Sequence, residues 1–221
     1  MKHEAKRSTA HLSRYVPDLE PEQLQEQMEL EQAIRLSMNE SVYGPSPKVM
    51  EAIQEWTGAH AHRYPDTRLT KLRQALATYH NVQPDAFVFT NGLDEMIQTL
   101  PRTFVEAGDE VLIHTPTFPE YASQAQVDGA RIVAVSDKDF GIDWEGMRAA
   151  ITDRTKLIYL CNPNNPTASL EPLSSIQAFL DQVPDHILVV LDEAYFEFTG
   201  LPESQSGVAI FDQYPNLMIM R

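Results

Sequence analysis

The chain has 221 residues, of which 43% are hydrophobic and 22% are charged, a composition typical of a globular protein with one or two domains. The formal net charge of -15, without a basic cluster, argues against binding to nucleic acid or to an anionic membrane. Cys161 is the only cysteine, which excludes an internal disulfide. The N-terminal stretch lacks the apolar core of a secretory signal, and no apolar run approaches the length of a membrane span, so we expect a cytoplasmic protein.

The first 80 residues favour helices over strands. Residues 1–20 are polar and mixed, which is typical of a loose arm. Helices are predicted from composition and from apolar side chains spaced three or four residues apart. They lie at 21–34, from Pro47 onward with Val49, Ile53 and Trp56 on one face, and at 69–79.

From residue 86 onward, predicted strands alternate with predicted helices. The strands are 86–90, 110–114, 131–135, 156–160, 187–191 and 216–220. The helices are 92–104, 118–127, near 143–151 and near 172–182. This alternation predicts an α/β fold, a three-layer αβα arrangement around a mostly parallel sheet. Pro101 lies inside the first of these helices, and we expect a kink or an early end there.

In open α/β sheets, ligands bind beyond the carboxyl ends of the strands, so the residues that follow each strand are the candidates for function. Asn91 and Gly92 open a helix whose N-terminal N–H groups could hold a phosphate. A plain capped helix, with Asp94 and Glu95 at its positive end, explains the same residues. The loop CNPNNPT at 161–167 offers free side-chain amides, or it is simply a rigid turn.

Strand 187–191 leads directly into two acids, Asp192 and Glu193. A carboxylate at the end of a buried strand needs a partner, because an unpaired buried charge is costly; a helix cap or a surface acid is the alternative. Phe118 and Tyr121 follow another strand, and taken alone they indicate packing. Together these strand ends suggest a phosphate site, an aromatic face, an amide donor and a buried carboxylate, which a flat, phosphorylated, cationic heterocycle would use.

Seven segments occur in an order that resembles one known family. They are MNESVYGPSP (38–47), RYPD (63–66), NGLDE (91–95), PTFPEY (116–121), CNPNNPT (161–167), LDEAYFEF (191–198) and YPNLMIMR (214–221). On these segments the chain resembles the fold-type I, pyridoxal-phosphate-dependent aminotransferases of class I/II, and among them the histidinol-phosphate aminotransferases. The resemblance implies an N-terminal arm and helix over 1–33 and a cofactor-binding large domain over 34–221, without the family's small C-terminal domain.

The resemblance implies that four side chains contact the ring of the cofactor, pyridoxal 5'-phosphate. Asp192 would meet the pyridine nitrogen, where a buried carboxylate favours the protonated ring. Phe118 would stack on the ring face. Asn165 and Tyr195 would hydrogen-bond the phenolic oxygen of the ring.

The resemblance also implies sites for the phosphate and the substrate. Gly92, Leu93 and Asp94 would hold the phosphate at the start of a helix. Tyr64 would reach the same phosphate from the partner subunit, because sites in this family lie at a homodimer interface. Asn39 lies in the segment that lines the substrate pocket.

The sequence departs from the family's pattern at several places. Leu93 stands where relatives usually have a small residue, and Ser41 stands where proline is common. Two further departures bear more directly on the site. Ala168 replaces the glycine that commonly follows Asn-Pro-Thr, so a positive φ at this position would strain the turn. In the family, the segment resembling 216–221 is followed within a few residues by the lysine that forms the Schiff base with the cofactor. Here the chain stops at Arg221, and none of its lysines takes that place, so we expect a fragment of a longer protein or a truncated gene product.

The favoured function is transamination between an amino donor and an oxo acceptor, of the histidinol-phosphate type. One alternative is a decarboxylase-like enzyme with the same cofactor, and another is a non-catalytic fragment that binds a partner subunit. A nucleotide-binding domain is less well supported, because the glycines at 141 and 146 are not followed by Lys-Ser/Thr. No metal site is predicted, since His60 and His62 are two residues apart and would face different sides of a helix.

Overall fold

The computed structural model of the chain describes residues 6–9 and 19–221. These residues fall into two compact units, one comprising 6–9 and Leu76–Arg221 and the other comprising 19–75. The arm predicted over residues 1–20 lies largely outside the described residues. Of the helices that the structure describes, none combines the length and apolar character needed to cross a bilayer.

Among the described residues up to His80, the α-helices are α1 (Pro21–Met28), α2 (Pro47–His60) and α3 (Thr70–His80). Helix α1 is shorter than the predicted 21–34, because the chain turns at Glu29, which has a left-handed φ of 53°. Helix α2 contains no buried residue. Its predicted apolar face is about half exposed, at 50% for Val49, 50% for Ile53 and 49% for Trp56.

Five strands form one parallel sheet in the order β2-β1-β3-β4-β5. The strands are β1 (Glu110–Thr115), β2 (Arg131–Ser136), β3 (Thr155–Cys161), β4 (Leu188–Asp192) and β5 (Leu217–Met220). Each agrees with a predicted strand to within one residue at either end. The predicted α/β class is confirmed.

Helices cover both faces of the sheet, because side chains along each strand alternate between two cores. The helices are α4 (Leu93–Phe104), α5 (Glu120–Val127), α6 (Trp144–Ala149) and α7 (Leu173–Leu180). The first core, with α6 and α7, includes Leu112, Met147, Ile158, Leu160 and Ile176. The second core, with α4 and α5, includes Ile97, Ile113, Tyr121, Leu157 and Tyr159. The predicted three layers are therefore present, and α4 continues past Pro101 to Phe104 rather than ending early.

The strand predicted at 86–90 is wrong. Pro84–Ala86 form a 3-10 turn, and residues 87–90 belong to no strand. A strand requires a neighbour with free backbone groups, and within the described residues β5 pairs only with β4. Residues 86–90 instead line an apolar cavity of about 560 Å³ together with side chains of β5.

Candidate functional site

The order of the strands places a reversal between β1 and β3. Strand β2 lies on one side of β1, while β3, β4 and β5 follow on the other. The helices after these two strands leave toward opposite faces, since α5 packs in the second core and α7 in the first. Such a reversal opens a ligand-binding crevice at the carboxyl ends of the strands.

Asp192 ends β4 and is only 5% exposed. Tyr121 Oη donates a hydrogen bond of 2.6 Å to Oδ2, and the backbone N–H of Ala194 donates one of 2.9 Å to Oδ1. In the sheet register, Cys161 and Met220 flank Asp192. Both donors are neutral, and no cationic side chain among the described residues acts on this carboxylate. The charge is buried without a counter-charge from the chain itself.

Sequence reasoning assigned Tyr121 to packing and missed its hydroxyl. The ring is fully buried and stacks on Tyr159, with centroids 4.6 Å apart and planes 7° apart. Burial and the neighbouring Asp192 raise the pKa of Tyr121, so the phenol stays protonated and donates. The spacing of Phe118 and Tyr121, three residues apart at the start of a helix, was the signal that could have placed both rings on one side.

The N-terminus of α4 forms a second wall of the site. Gly92 precedes the helix with a φ of 78° and has no side chain with which to cap it, while the Glu95 carboxylate accepts a hydrogen bond from the backbone N–H of Asn91 just before the helix. A Cβ at Gly92 would meet no atom within 4 Å, so open space adjoins the first N–H groups of the helix. The Asp94 carboxylate contributes to raising the pKa of Asp192, which places both acids in one electrostatic environment.

Three further predicted residues lie on loops at the same edge of the sheet. Phe118 is half-buried, and its ring meets Tyr121 edge-on at 5.6 Å. Asn165 is half-buried, and its side-chain amide has no hydrogen-bond partner within the part of the chain that the structure describes. Tyr195 is half-buried and directly follows Ala194, which holds Asp192.

The seven predicted residues of the larger unit thus share one end of the sheet, and the remaining two belong to the unit comprising 19–75. Tyr64 is 99% exposed. Asn39 is exposed and adopts a left-handed φ of 54°. The roles predicted for these two residues concern a partner subunit and a substrate, and they stay predictions.

The comparison with known protein families is decisive for the class of protein. The family model described as aminotransferase class I and II matches residues 31–221, which is most of the chain. The chain belongs to this family.

Among relatives of this aminotransferase chain is a histidinol-phosphate aminotransferase from Lactiplantibacillus plantarum, 41% identical over 98% of the chain and 61% of the relative. Another, from Leuconostoc mesenteroides, is 38% identical over 98% of the chain and 61% of the relative. The chain therefore spans about three fifths of the length of these relatives.

Solved structures agree with this assignment. The histidinol-phosphate aminotransferase from Sinorhizobium meliloti, in complex with pyridoxal-5'-phosphate, matches with a TM-score of 0.81 and 32% identity over 96% of this chain and 59% of that one. The enzyme of the same name from Clostridium acetobutylicum matches with a TM-score of 0.73 and 27% identity over 83% of this chain and 53% of that one. The fold of the α/β unit described above matches that of an aminotransferase large domain.

One departure of this aminotransferase chain from the family's pattern has a structural consequence. Ala168 adopts a φ of 56°, so the alanine sits in the left-handed region that the usual glycine would tolerate. A left-handed alanine costs about 1–2 kcal/mol. The backbone bond from Ala168 N–H to Asn164 O, at 2.8 Å, nevertheless closes the turn. The positive φ on which the predicted strain depends is therefore present at Ala168.

The buried carboxylate of Asp192 is expected to make the chain less stable at pH 7 than a neutral side chain would. Burial raises the pKa of Asp192, and the hydrogen bonds from Tyr121 and Ala194 only partly oppose this. Since the folded-state pKa lies above the unfolded one, the contribution of this group to the free energy of unfolding is fully present only at pH values below the unfolded-state pKa. It is lost as the pH rises through the folded pKa.

We therefore expect Asp192→Asn to raise the free energy of unfolding at pH 7 by about 1 kcal/mol, a gain of the size common at strained functional sites. Urea denaturation of the wild type and the variant, at pH 7 and at pH 3, measures this difference in the free energy of unfolding. The gain should vanish at the lower pH, where Asp192 is protonated in both states. A variant less stable than the wild type at pH 7 would contradict this account.

Proposed function

We propose that the chain forms the pyridoxal 5'-phosphate-binding part of an aminotransferase that acts on histidinol phosphate or a similar amino phosphate. The observation that carries the proposal is the isolated charge of Asp192, which is buried and held by two neutral donors. A ligand with a protonated ring nitrogen would supply the counter-charge that the described residues lack. Pyridoxal phosphate is such a ligand, and it provides an electron sink for the substrate's α-carbon.

The residues around Asp192 fit the ring of this cofactor. The Asp192 carboxylate would keep a proton on the pyridine nitrogen, and Tyr121 would hold that carboxylate in place. Phe118, which is half-buried, would cover one face of the ring. The unpartnered amide of Asn165 and the hydroxyl of Tyr195 would hydrogen-bond the phenolic oxygen.

The phosphate would bind at the start of α4. There the backbone N–H groups of Leu93 and Asp94 follow a glycine that leaves open space, and the helix dipole favours an anion. Tyr64 would reach this phosphate from the partner subunit of a homodimer, and Asn39 would contact the substrate. The full exposure of Tyr64 and the uncovered apolar face of α2 support a partner subunit.

Equilibrium titration of the chain with pyridoxal phosphate and with pyridoxal tests the cofactor assignment. We expect a saturable change in the absorbance of the phosphorylated compound, at one equivalent per chain. Pyridoxal should bind at least about tenfold more weakly, because it lacks the charge-assisted hydrogen bonds of the phosphate. Equal affinities would contradict the phosphate site, and no saturable change with either compound would contradict the proposal as a whole.

The reaction is tested with histidinol phosphate as amino donor and 2-oxoglutarate as oxo acceptor, on the chain extended by the part of the Lactiplantibacillus plantarum relative that the match leaves uncovered. We expect glutamate to form in step with loss of the donor amine. Release of carbon dioxide without an oxo product would instead indicate the decarboxylase-like alternative. A protein that loads the cofactor but converts no amine would favour the non-catalytic alternative.

A further inference from the structure

His114 is a fully buried imidazole whose ring links the ends of three strands. It lies near the end of β1. Its Nδ1 is 3.1 Å from Oδ1 of Asp137, which follows β2, and its Nε2 accepts a hydrogen bond of 3.3 Å from the backbone N–H of Cys161 at the end of β3. His114 is not among the predicted site residues, and it makes none of the proposed cofactor contacts.

These contacts fix the protonation of the ring. An imidazole nitrogen that accepts a hydrogen bond from a backbone N–H carries no proton, so the Nε2 lone pair faces Cys161. The single proton of the neutral ring is then on Nδ1 and is donated to the Asp137 carboxylate. Backbone pairing between β1 and β3 ends at Ile113 and Tyr159. Beyond that pair, the Cys161 N–H donates its hydrogen bond to His114 Nε2 instead of to a backbone carbonyl of β1.

The same ring lies beneath two loops. Thr117 Oγ1 is 3.4 Å from Nε2 and donates a hydrogen bond of 2.9 Å to Asn164 Oδ1. Asn164 Nδ2 donates in return to the carbonyl of Pro116, at 2.8 Å. Thr117 is followed by Phe118 and Asn164 by Asn165, so the loops joined at His114 are those that carry two of the proposed cofactor contacts.

We propose that neutral His114 is a positioning residue, which fixes the spacing between Phe118 and Asn165 by holding the end of β3 against the end of β1. The proposal rests on the proposed function, since it concerns the residues assigned there to the cofactor. His114 acts through Nε2, which accepts the hydrogen bond from the Cys161 N–H. A protonated ring has no lone pair at that atom, and it would leave the Cys161 N–H buried without a partner.

The groups facing the ring favour this neutral form near pH 7. The titratable neighbours are the carboxylates of Asp137 and Glu171 and the thiol of Cys161. Burial lowers the pKa of His114, and the two carboxylates only partly oppose it. Acidification therefore protonates the ring below its ordinary titration range and releases Cys161.

Two substitutions separate the acceptor from the rest of the ring. His114→Asn places an amide near the position of Nδ1, beside Asp137, but offers nothing to Cys161. His114→Gln extends an amide oxygen toward the position of Nε2. In titrations of the chain with pyridoxal phosphate at pH 7.5, we expect the asparagine variant to bind roughly three- to tenfold more weakly, the effect of one lost hydrogen bond. The glutamine variant should stay within about twofold of the wild type, because its oxygen can restore the bond.

The pH profile gives a readout that a merely structural role would not move. The ratio of wild-type to His114→Gln affinity should fall as the pH is lowered, because only the wild type can protonate at residue 114. A constant ratio, or equal losses of affinity in both variants, would overturn the proposal.

Amide hydrogen exchange at Cys161 and Asn162, measured without cofactor, separates this proposal from the proposed function. Protection should fall in His114→Asn and persist in His114→Gln. If the wild type binds pyridoxal phosphate but His114→Asn matches it in both affinity and exchange, only the role of His114 is overturned. If the wild type does not bind, the cofactor assignment fails, and the exchange pattern alone decides whether His114 orders the two loops.

Discussion

Replacing Asp192 by alanine is expected to weaken the binding of pyridoxal phosphate to this chain by about 100-fold or more. The carboxylate is 5% exposed and accepts hydrogen bonds from Tyr121 and Ala194, so it is already in place for a cationic ligand. Removing one partner of a buried, hydrogen-bonded charge pair costs about 2–5 kcal/mol, and each 1.4 kcal/mol is about tenfold in affinity. Absorbance titration measures the dissociation constant.

One further variant of Asp192 separates the effect of its charge from that of its shape, and a variant at an exposed aspartate serves as a control. Asp192→Asn keeps the size of the side chain but removes its charge, so it should lose most of the affinity although it is expected to be the more stable protein. Asp153→Asn, at an exposed position in the turn before β3, should bind as the wild type does. If Asp192→Ala binds pyridoxal phosphate as tightly as the control, the ring nitrogen does not meet this carboxylate.

Replacing Glu193 by alanine is expected to lower the free energy of unfolding by about 3 kcal/mol. Glu193 is 1% exposed and accepts hydrogen bonds from Ser206 Oγ at 2.6 Å and from the Gly207 N–H at 2.7 Å. Alanine leaves both buried donors without an acceptor, and breaking such a buried charged network typically costs about 3–5 kcal/mol. The midpoint and slope of urea denaturation measure the change.

Two other substitutions calibrate this effect. Glu193→Gln keeps one acceptor oxygen, so the free energy of unfolding should fall by about half as much as in Glu193→Ala. Glu197→Ala removes a carboxylate that pairs with Arg221 but is 61% exposed, and exposed ion pairs contribute at most about 1 kcal/mol. Equal losses for Glu193→Ala and Glu197→Ala would show that the buried hydrogen bonds contribute no more than the surface pair.

The sheet could be predicted from the sequence because its strands are continuous apolar runs, such as the one from Leu188 to Leu191. Strands buried on both faces of a parallel sheet need side chains of this kind. Residues 86–90 are similarly apolar but form no strand. Composition gives only a tendency, and a strand forms only where a neighbouring strand supplies backbone hydrogen-bond partners. A short apolar segment therefore indicates burial more reliably than it indicates hydrogen-bonded pairing.

The candidate site could be predicted only as separate strand ends. Asp192 stood out because an acid interrupts an apolar run, yet its partner Tyr121 lies 71 residues away, and no local pattern links the two. Glu193 was hidden for a similar reason, because Ser206 and Gly207 follow it by 13 and 14 residues across irregular chain. Pairings of this kind depend on how loops close, which is decided by tertiary packing.

The sole cysteine lies one strand away from Asp192, in the same row of the sheet. Burial and the neighbouring carboxylate raise the pKa of the Cys161 thiol to about 11. At pH 7, only about one thiol in ten thousand is then ionised, and it is the thiolate that acts as a nucleophile. A carbonyl compound that enters the site therefore meets a sulfur that does not compete with amines for the aldehyde carbon.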